Sequence, residues 1–223
     1  MSFHVFTTIL VDKGQPRFLD DHLARLQAHA SYFGFPYPGE DPLRDTVIAR
    51  ATKQSRYSHK LDRYLLRIAI DRRGHVSATT RDLNLPANNT RIIVTDIKVD
   101  PRLAAFKTSS NEPYRKARDL ALQHDVFEAL LIDEDGYVVD GSRSSPLLFC
   151  DNAFISLEGG LQGITREKVL LEAASLGIEV RREKRKAHEL SGTLLVAGSG
   201  IGLVSSSPID HPLIAKLIDK FLL

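Results

Sequence analysis

The chain has 223 residues, of which 43% are hydrophobic and 26% charged, and its formal net charge is +2. This composition is typical of a globular protein with one large domain or two small ones, and it excludes a disordered or fibrous chain. The basic residues are scattered, the single cysteine cannot form an intrachain disulfide, and no apolar run approaches the roughly 18 residues of a membrane span, so we predict a cytoplasmic protein that binds neither nucleic acid nor membranes.

The first hundred residues predict one strand, then two helices and then three further β-like runs. A run of β-forming residues predicts a strand over 3–11, and apolar residues at helical spacing predict helices over 20–33 and 42–53. A segment with a proline and paired asparagines predicts a loop over 82–90. Three β-like runs with turn residues between them predict an antiparallel meander, over 64–70, 75–80 and 91–99.

A hinge at Asp100-Pro101 separates two predicted lobes. The predicted domains are an N-terminal α/β lobe over 1–100, a linker over 101–106 and a C-terminal lobe over 107–223. Helices and strands are mixed without a regular βαβ alternation, which favours an α+β fold. The predicted C-terminal elements are helices over 112–123, 165–176 and 212–222 and strands over 127–133, 136–140, 145–150, 153–157, 178–184, 193–197 and 203–206.

Two glycine-containing stretches could hold an anion. Gly163 leads directly into a predicted helix, whose free N–H groups and positive dipole end suit a phosphate. The loop 198–202 carries alternating glycines after an apolar strand, which lets the backbone approach a ligand. Many helices begin after a glycine and bind nothing, so each stretch alone also has a purely structural explanation.

Three side chains could carry charge-dependent chemistry. Lys107 follows an apolar run, where desolvation would free its amine as a nucleophile, although a surface lysine is the simpler explanation. Asp140 ends a β-like run and is either a site carboxylate or a turn residue. Arg25, three residues after His22 on the first predicted helix, either binds an anion or faces solvent.

Taken in this order, the stretches resemble the class IV (fold-type IV) pyridoxal 5′-phosphate (PLP) enzymes, over almost the whole chain. The helix with His22-Leu23-x-Arg25-Leu26 is similar to the family's early helix, which implies that Arg25 binds the cofactor phosphate. The segment around Lys107 resembles the one that carries the Schiff-base lysine, so the resemblance makes Lys107 the catalytic residue. It also implies the two-lobed fold of D-amino-acid aminotransferases.

The resemblance extends to the C-terminal half. The segment 139–145 is similar to the family's Glu-Gly-Ser-x-Ser-Asn stretch, which implies that Asp140 pairs with the pyridine nitrogen. The further cofactor-binding residues that the resemblance implies are Ser144, Ser145, Gly163, Ile164, Thr165, Gly198 and Ser199. No metal site is predicted.

Three positions depart from the family pattern. Asp140 replaces a glutamate and is one methylene shorter, and Ser145 stands where asparagine is usual. Glu112 occupies a position where aminotransferases of the class often have a tyrosine, with Tyr114 two residues later. These departures put transamination in more doubt than cofactor binding.

Within the class, the chain most resembles 4-amino-4-deoxychorismate lyases, which release pyruvate and 4-aminobenzoate in the folate pathway. The alternatives are a class IV aminotransferase for D- or branched-chain amino acids and a degenerate, non-catalytic family member. The resemblance implies a small-molecule substrate and a homodimer, and it admits aminodeoxychorismate synthase as a partner.

Overall fold

The computed structural model describes residues 3–57, 63–83, 85 and 90–222, with only the helical backbone described for 53–57. The described residues form six α-helices and twelve β-strands, and these strands make three sheets. The chain divides into two compact units. Unit 1 comprises Met1–Asn84 and Phe106–Ser110, and unit 2 comprises Leu85–Ala105 and Asn111–Leu223.

Unit 1 is a four-stranded antiparallel sheet, ordered β2-β1-β3-β4, with two helices. Its elements are β1 (His4–Asp12), β2 (Gln15–Pro16), α1 (Leu19–Tyr32), α2 (Glu40–Tyr57), β3 (Arg63–Asp71) and β4 (Val76–Arg81). The predicted strand over 3–11 and the two predicted helices are confirmed. The helices lie where the apolar spacing predicted them because one stripe of each is buried.

The core of unit 1 lies between the helices and one face of the sheet. Leu23, Leu26 and Ala30 of α1 are fully buried against Ile9 and Leu66, which belong to β1 and β3. Alternate residues of the strands point to this core, as the period of two along a strand requires. The residues between them, such as Phe6 and Arg67, point to the second face of the sheet.

The β3–β4 hairpin confirms two strands of the predicted meander. The third predicted strand is present, but its place in the meander is wrong. The run over 92–98 forms β5 (Ile92–Lys98), which pairs in parallel with β6 (Glu128–Ile132) in unit 2. The physical reason is burial: β4 is largely exposed, whereas the apolar residues of β5 contribute to cores on both of its faces. Residues 84 and 86–89 of the predicted loop lie outside the described residues.

Unit 2 contains a three-stranded sheet ordered β5-β6-β7 and a five-stranded sheet ordered β10-β9-β8-β11-β12. The remaining elements are α3 (Pro101–Ala104), α4 (Glu112–Gln123), β7 (Val138–Gly141), β8 (Ser145–Cys150), β9 (Ala153–Leu157), α5 (Ile164–Ser175), β10 (Glu179–Glu183), β11 (Thr193–Gly198), β12 (Gly202–Ser205) and α6 (Pro212–Phe221). These bounds confirm the elements predicted for the C-terminal half.

The three-stranded sheet of unit 2 is covered on both faces. Ala129 and Leu131 of β6 point to a core with Ala117 of α4. Leu130, between them, points to a second core that includes Ile155 and Val196 of the five-stranded sheet. This arrangement explains why β6 is a near-continuous apolar run in the sequence from Ala129 to Ile132.

The division into units differs from the predicted domains in three places. Residues 85–100 of the predicted N-terminal lobe belong to unit 2. Residues 101–104 of the predicted linker form the short helix α3, whose first turn is capped by the side chain of Asp100. The segment 106–110 belongs to unit 1, because its backbone is hydrogen-bonded to β1. Among the described residues, no helix is long and apolar enough to cross a membrane.

Candidate active site

Lys107 lies on a short extended segment that pairs with the edge of β1. The N–H of Phe6 donates to the carbonyl of Lys107 over 2.9 Å, and the N–H of Ser109 donates to the carbonyl of His4 over 2.9 Å. Between them, Val5 and Thr108 form an antiparallel bridge. The half-buried Lys107 is therefore held by strand pairing rather than by a flexible loop, and its Nζ lies 5.4 Å from the centre of the Phe6 ring.

The last turn of α1 packs against the residue before Lys107. The ring of Phe106 contacts His29 and Phe33 edge-on, each with centroids 5.1 Å apart, and stacks on Tyr32 at 4.2 Å. His29 also accepts a hydrogen bond at Nδ1 from the N–H of Lys107, over 3.3 Å. The helix that carries Arg25 thus fixes the lysine segment as well.

Arg25 belongs to a hydrogen-bonded chain of three side chains within unit 1. Its Nη2 donates to the hydroxyl of Thr7 over 2.9 Å, and this hydroxyl lies 2.7 Å from Nδ1 of His22. Thr7 and His22 are buried. One helix turn of α1 and the neighbouring strand β1 therefore orient the guanidinium that the sequence predicts as a phosphate ligand.

Both buried histidines of α1 are kept neutral. Burial, and then the positive charges of Arg25 and Lys107, lower the pKa of His29 to about 4. The same causes hold the pKa of His22 well below its ordinary value. The hydrogen bonds agree with this state, because the neutral ring of His29 accepts at Nδ1. The positive charge of this region resides on Arg25 and Lys107, as an anion-binding region requires.

A second arginine, which the sequence analysis missed, lies on the other face of the unit 1 sheet. The guanidinium carbon of Arg67 is 3.6 Å from the centre of the Phe6 ring, and its Nη2 donates to Nε2 of His4 over 3.0 Å. Phe6 therefore contacts Arg67 and also lies near the amine of Lys107. Only the pairing of β1 with β3 brings residue 67 beside residue 6, so no local motif could have found it.

In unit 2, Asp140 is a buried carboxylate with defined donors. Its Oδ2 accepts from the hydroxyl of Tyr114 over 3.2 Å, and its Oδ1 accepts from the N–H of Gly141 over 3.1 Å. Burial, and then the negative charge of Asp140, raise the pKa of Tyr114, so this hydroxyl keeps its proton and acts as a donor. Tyr114 thus contacts Asp140, whereas Glu112 is exposed and pairs with Lys116.

Gly159 and Gly160 allow the chain to approach the end of β7 at Val139 and Asp140. A Cβ on Gly159 would lie 2.6 Å from Cγ1 of Val139. A Cβ on Gly160 would lie 2.1 Å from the carbonyl oxygen of Val139 and 2.9 Å from the Cβ of Asp140. A side chain at this position would push the strand end away. Asp140 is therefore fixed from both its backbone and its carboxylate.

Two of the predicted phosphate-side segments of unit 2 lie next to Ser145, one at Gly163 and one at the end of β11. A Cβ on Gly163 would lie 2.4 Å from the hydroxyl oxygen of Ser145, and Ser145 pairs with Ala197, which precedes Gly198. Gly163 provides no side-chain cap, so the first N–H groups of α5, near Thr165, remain available to an anion. We call this group of small residues and backbone N–H groups, which comprises Ser145, Gly163 and the first turn of α5, the cradle.

Glu128 is a fully buried carboxylate that the sequence analysis missed. Its Oε1 accepts from the backbone N–H groups of Ala129 and Ser142 and from the hydroxyl of Ser142, over 3.0, 2.9 and 2.6 Å. Its Oε2 accepts from the hydroxyl of Ser144 over 2.5 Å. These bonds hold the turn between Asp140 and Ser145. An acidic residue inside the apolar run over 127–133 was the available signal.

The two predicted serines have different surroundings. The hydroxyl of Ser144 donates to Glu128, away from Ser145, so we assign it to the support of the turn. Ser145 lies at the start of α5. The contacts of both residues with a cofactor stay predictions.

The chain is similar to a family model and to several solved structures. A family model described as amino-transferase class IV matches residues 4–208. A crystal structure of a protein provisionally named 4-amino-4-deoxychorismate lyase has 39% sequence identity and a TM-score of 0.91, covering 99% of this chain and 90% of that chain. The PLP-bound form of a hypothetical aminotransferase from Mycobacterium tuberculosis has 20% identity and a TM-score of 0.84, covering 99% and 89%, and shows the fold alone.

One curated relative matches part of the chain. A Rickettsia bellii (strain RML369-C) protein, provisionally named branched-chain-amino-acid aminotransferase, is 26% identical over 116 residues. This stretch covers 50% of the present chain and 39% of the Rickettsia protein.

The neutral histidines predict a loss of stability in acid. Because the pKa of His29 is about 4 in the folded chain and 6.5 without the fold, unfolding takes up a proton between these pH values. The unfolding free energy should fall as the pH falls through this window, and His29→Asn should remove about 2 kcal/mol of that fall. Denaturant titrations across the window measure it, with the exposed His188→Asn as matched control. Equal pH dependence of His29→Asn and the unchanged chain would contradict the prediction.

The buried carboxylate predicts a large effect of a small change. Glu128→Gln replaces an acceptor oxygen with an NH₂ group that faces existing donors, so we expect a loss of about 3 kcal/mol in unfolding free energy. Glu134→Gln, at an exposed ion pair with Lys98, should leave stability nearly unchanged. Denaturant unfolding of both variants measures the difference, and equal midpoints would refute the supporting role of Glu128.

Proposed function

The chain belongs to the class IV amino-transferase family, and from this premise we propose that it is a 4-amino-4-deoxychorismate lyase that releases pyruvate and 4-aminobenzoate. One observation carries the proposal: the structure provisionally named for this activity shares 39% identity over 99% of the chain. The aminotransferase relative shares 26% identity over half of it. The lyase is therefore the better-supported member of the family.

PLP is the cofactor of this enzyme, as of its family. When bound, it supplies an electron sink next to the substrate amine. Each unit by itself offers groups of the kind that PLP requires. In unit 1, Lys107 offers an amine. In unit 2, Asp140 offers a buried carboxylate for the ring nitrogen, and the cradle around Ser145 suits a phosphate. We assign the phosphate contacts to Arg25, Ser145, Gly163, Ile164, Thr165, Gly198 and Ser199.

Lys107 is the proposed catalytic residue. Its Nζ would hold the cofactor in the resting enzyme, and during the reaction Nζ would take the proton from the carbon that carries the substrate amine. The substrate ring loses that hydrogen, and the bond between the ring and the ether oxygen of the three-carbon unit breaks. The three-carbon unit gains the hydrogen and leaves as pyruvate. Atoms balance without an oxidant, and the ring becomes aromatic.

Asp140 would pair with the ring nitrogen of the cofactor, and Tyr114 holds Asp140 by a hydrogen bond. Asp140 is one methylene shorter than the family's usual glutamate, and the hydroxyl of Tyr114 fixes its Oδ2. Two donors stabilise its charged form, which is the form that pairs with a protonated ring nitrogen. Aromatisation of the product supplies driving force in the lyase reaction, so the proposed function tolerates the shorter side chain.

Arg67 is the proposed partner of a substrate carboxylate. The substrate carries carboxylates on its ring and on its three-carbon unit, and both need cations when they leave water. The guanidinium of Arg67 lies against Phe6, whose ring is also 5.4 Å from the Lys107 amine. A carboxylate bound there would place the substrate near the reacting nitrogen.

The second candidate is a class IV aminotransferase for D- or branched-chain amino acids. The Rickettsia relative favours it, since its provisional name is that of a branched-chain aminotransferase. This reaction uses the same cofactor contacts but requires the proton to return to the cofactor rather than to a leaving group. The degenerate, non-catalytic reading has less support, because the candidate lysine, arginine and carboxylate are all present and held by hydrogen bonds.

The remaining proposals follow from the family resemblance. We propose a homodimer in the cytoplasm, a place in folate synthesis through 4-aminobenzoate, and aminodeoxychorismate synthase as the source of the substrate.

A direct assay separates the two activities. Purified holoenzyme should release pyruvate and 4-aminobenzoate in equal amounts from 4-amino-4-deoxychorismate, because one elimination yields both. The same enzyme should convert its cofactor to the pyridoxamine form only slowly with D-alanine or L-leucine as donor. Product chromatography and cofactor absorbance measure the two reactions. Rapid pyridoxamine formation without 4-aminobenzoate would reverse the assignment.

The proposed role of Lys107 predicts that its removal abolishes cofactor attachment and lowers turnover. Lys107→Ala should lose the visible absorbance band of the lysine-bound cofactor and lower turnover by about 10²- to 10⁴-fold, because no other group takes the proton. Lys116→Ala, at an exposed ion pair, should retain both. Spectra and initial rates of the two variants provide the measurement. A retained band in Lys107→Ala would show that another amine holds the cofactor.

A further inference from the structure

The backbone of Lys107 leaves the edge of β1 at an irregular point. Lys107 lies opposite Phe6, whose N–H donates to the Lys107 carbonyl over 2.9 Å. In a regular antiparallel ladder the Lys107 N–H would return a bond to the carbonyl of Phe6. It donates instead to Nδ1 of His29, over 3.3 Å. The acceptor for the Lys107 N–H is therefore a side chain of α1 and not the carbonyl of the neighbouring strand.

His29 is held in the orientation that this bond needs. It is 7% exposed, and its ring meets the ring of Phe106 edge-on at 5.1 Å. Arg25, on the same helix, and Lys107 are the cations that act on it, and both favour the neutral ring. A neutral ring with a proton on Nε2 can accept at Nδ1.

We propose that His29 is a positioning residue for the amine of Lys107. The peptide plane between Phe106 and Lys107 sets the direction of the Lys107 side chain, and the bond to His29 sets this plane. Without the bond the N–H would turn to Phe6, continue the ladder and rotate the lysine side chain. A misplacement of roughly 1 Å at a reacting group costs about 100-fold in rate.

This inference rests on the proposed role of Lys107 as the residue that holds the cofactor. It does not depend on which reaction follows. It also differs from a purely structural role of His29, which would act only through the packing of its ring on Phe106.

A pair of isosteric substitutions separates the two roles. Asparagine and leucine have the same branched shape, and each removes the ring and its contact with Phe106. Only His29→Asn retains an acceptor, Oδ1, near the position of Nδ1. His188→Leu, at an exposed ring, is the matched control.

The readout is the rate at which Lys107 captures the cofactor. Cofactor-free protein is mixed with PLP, treated with borohydride at set times, digested, and analysed for the mass of the modified Lys107 peptide. His29→Leu should be slower by about 10- to 100-fold, and His29→Asn should recover most of the rate. Turnover by the loaded variants should show a lower kcat with little change in KM.

The outcomes distinguish this inference from the proposed function. Equal capture rates in His29→Asn and His29→Leu would overturn the positioning role, whether or not the enzyme is a lyase. If the unchanged chain captures PLP on Lys107 but releases no pyruvate, the lyase proposal fails and the comparison of the two variants still stands. Should His29→Leu fail to fold, a rate in His29→Asn well below that of His188→Leu would overturn the inference.

Discussion

The pairing of residues 107–109 with the edge of β1 is the constraint on which the candidate chemistry depends. It joins segments about one hundred residues apart in the chain through two backbone hydrogen bonds of 2.9 Å. Strand pairing sets the position of Lys107, and α1 adds the contacts of His29 with Lys107 and Phe106. Because the same helix carries Arg25, α1 helps to position both Arg25 and Lys107.

In unit 2, the buried carboxylate of Glu128 holds candidate residues in place. A carboxylate in an apolar interior is costly unless donors surround it, and Glu128 has donors at both oxygens. These donors belong to the turn that links Asp140 to Ser145. Because Glu128 requires these donors, its hydrogen bonds also restrain Asp140 and Ser145, which lie at the two ends of the turn. Gly160 and Gly163 permit close packing against these two residues.

The departures from the family pattern also become physically interpretable. Asp140 is shorter than glutamate, and Tyr114 donates to it from α4. Glu112, at the position where a tyrosine is common in aminotransferases, is exposed and paired with Lys116. The hydroxyl of Tyr114 thus fixes the shorter carboxylate, which supports the proposal of an active carboxylate over a degenerate site.

The sequence by itself determined the local elements and the candidate residues. Helical spacing defined α1, α4 and α5, and the motifs around Arg25, Lys107, Asp140 and Gly163 pointed to one family. Only the tertiary structure decided that β5 joins unit 2 and that Arg67 lies on Phe6. It also decided that His29 bonds to Lys107 within unit 1 and that Glu128 bonds to Ser142 within unit 2. The reason is physical: periodicity and turn chemistry act within about ten residues, whereas strand partners and buried hydrogen bonds are chosen by packing between distant segments.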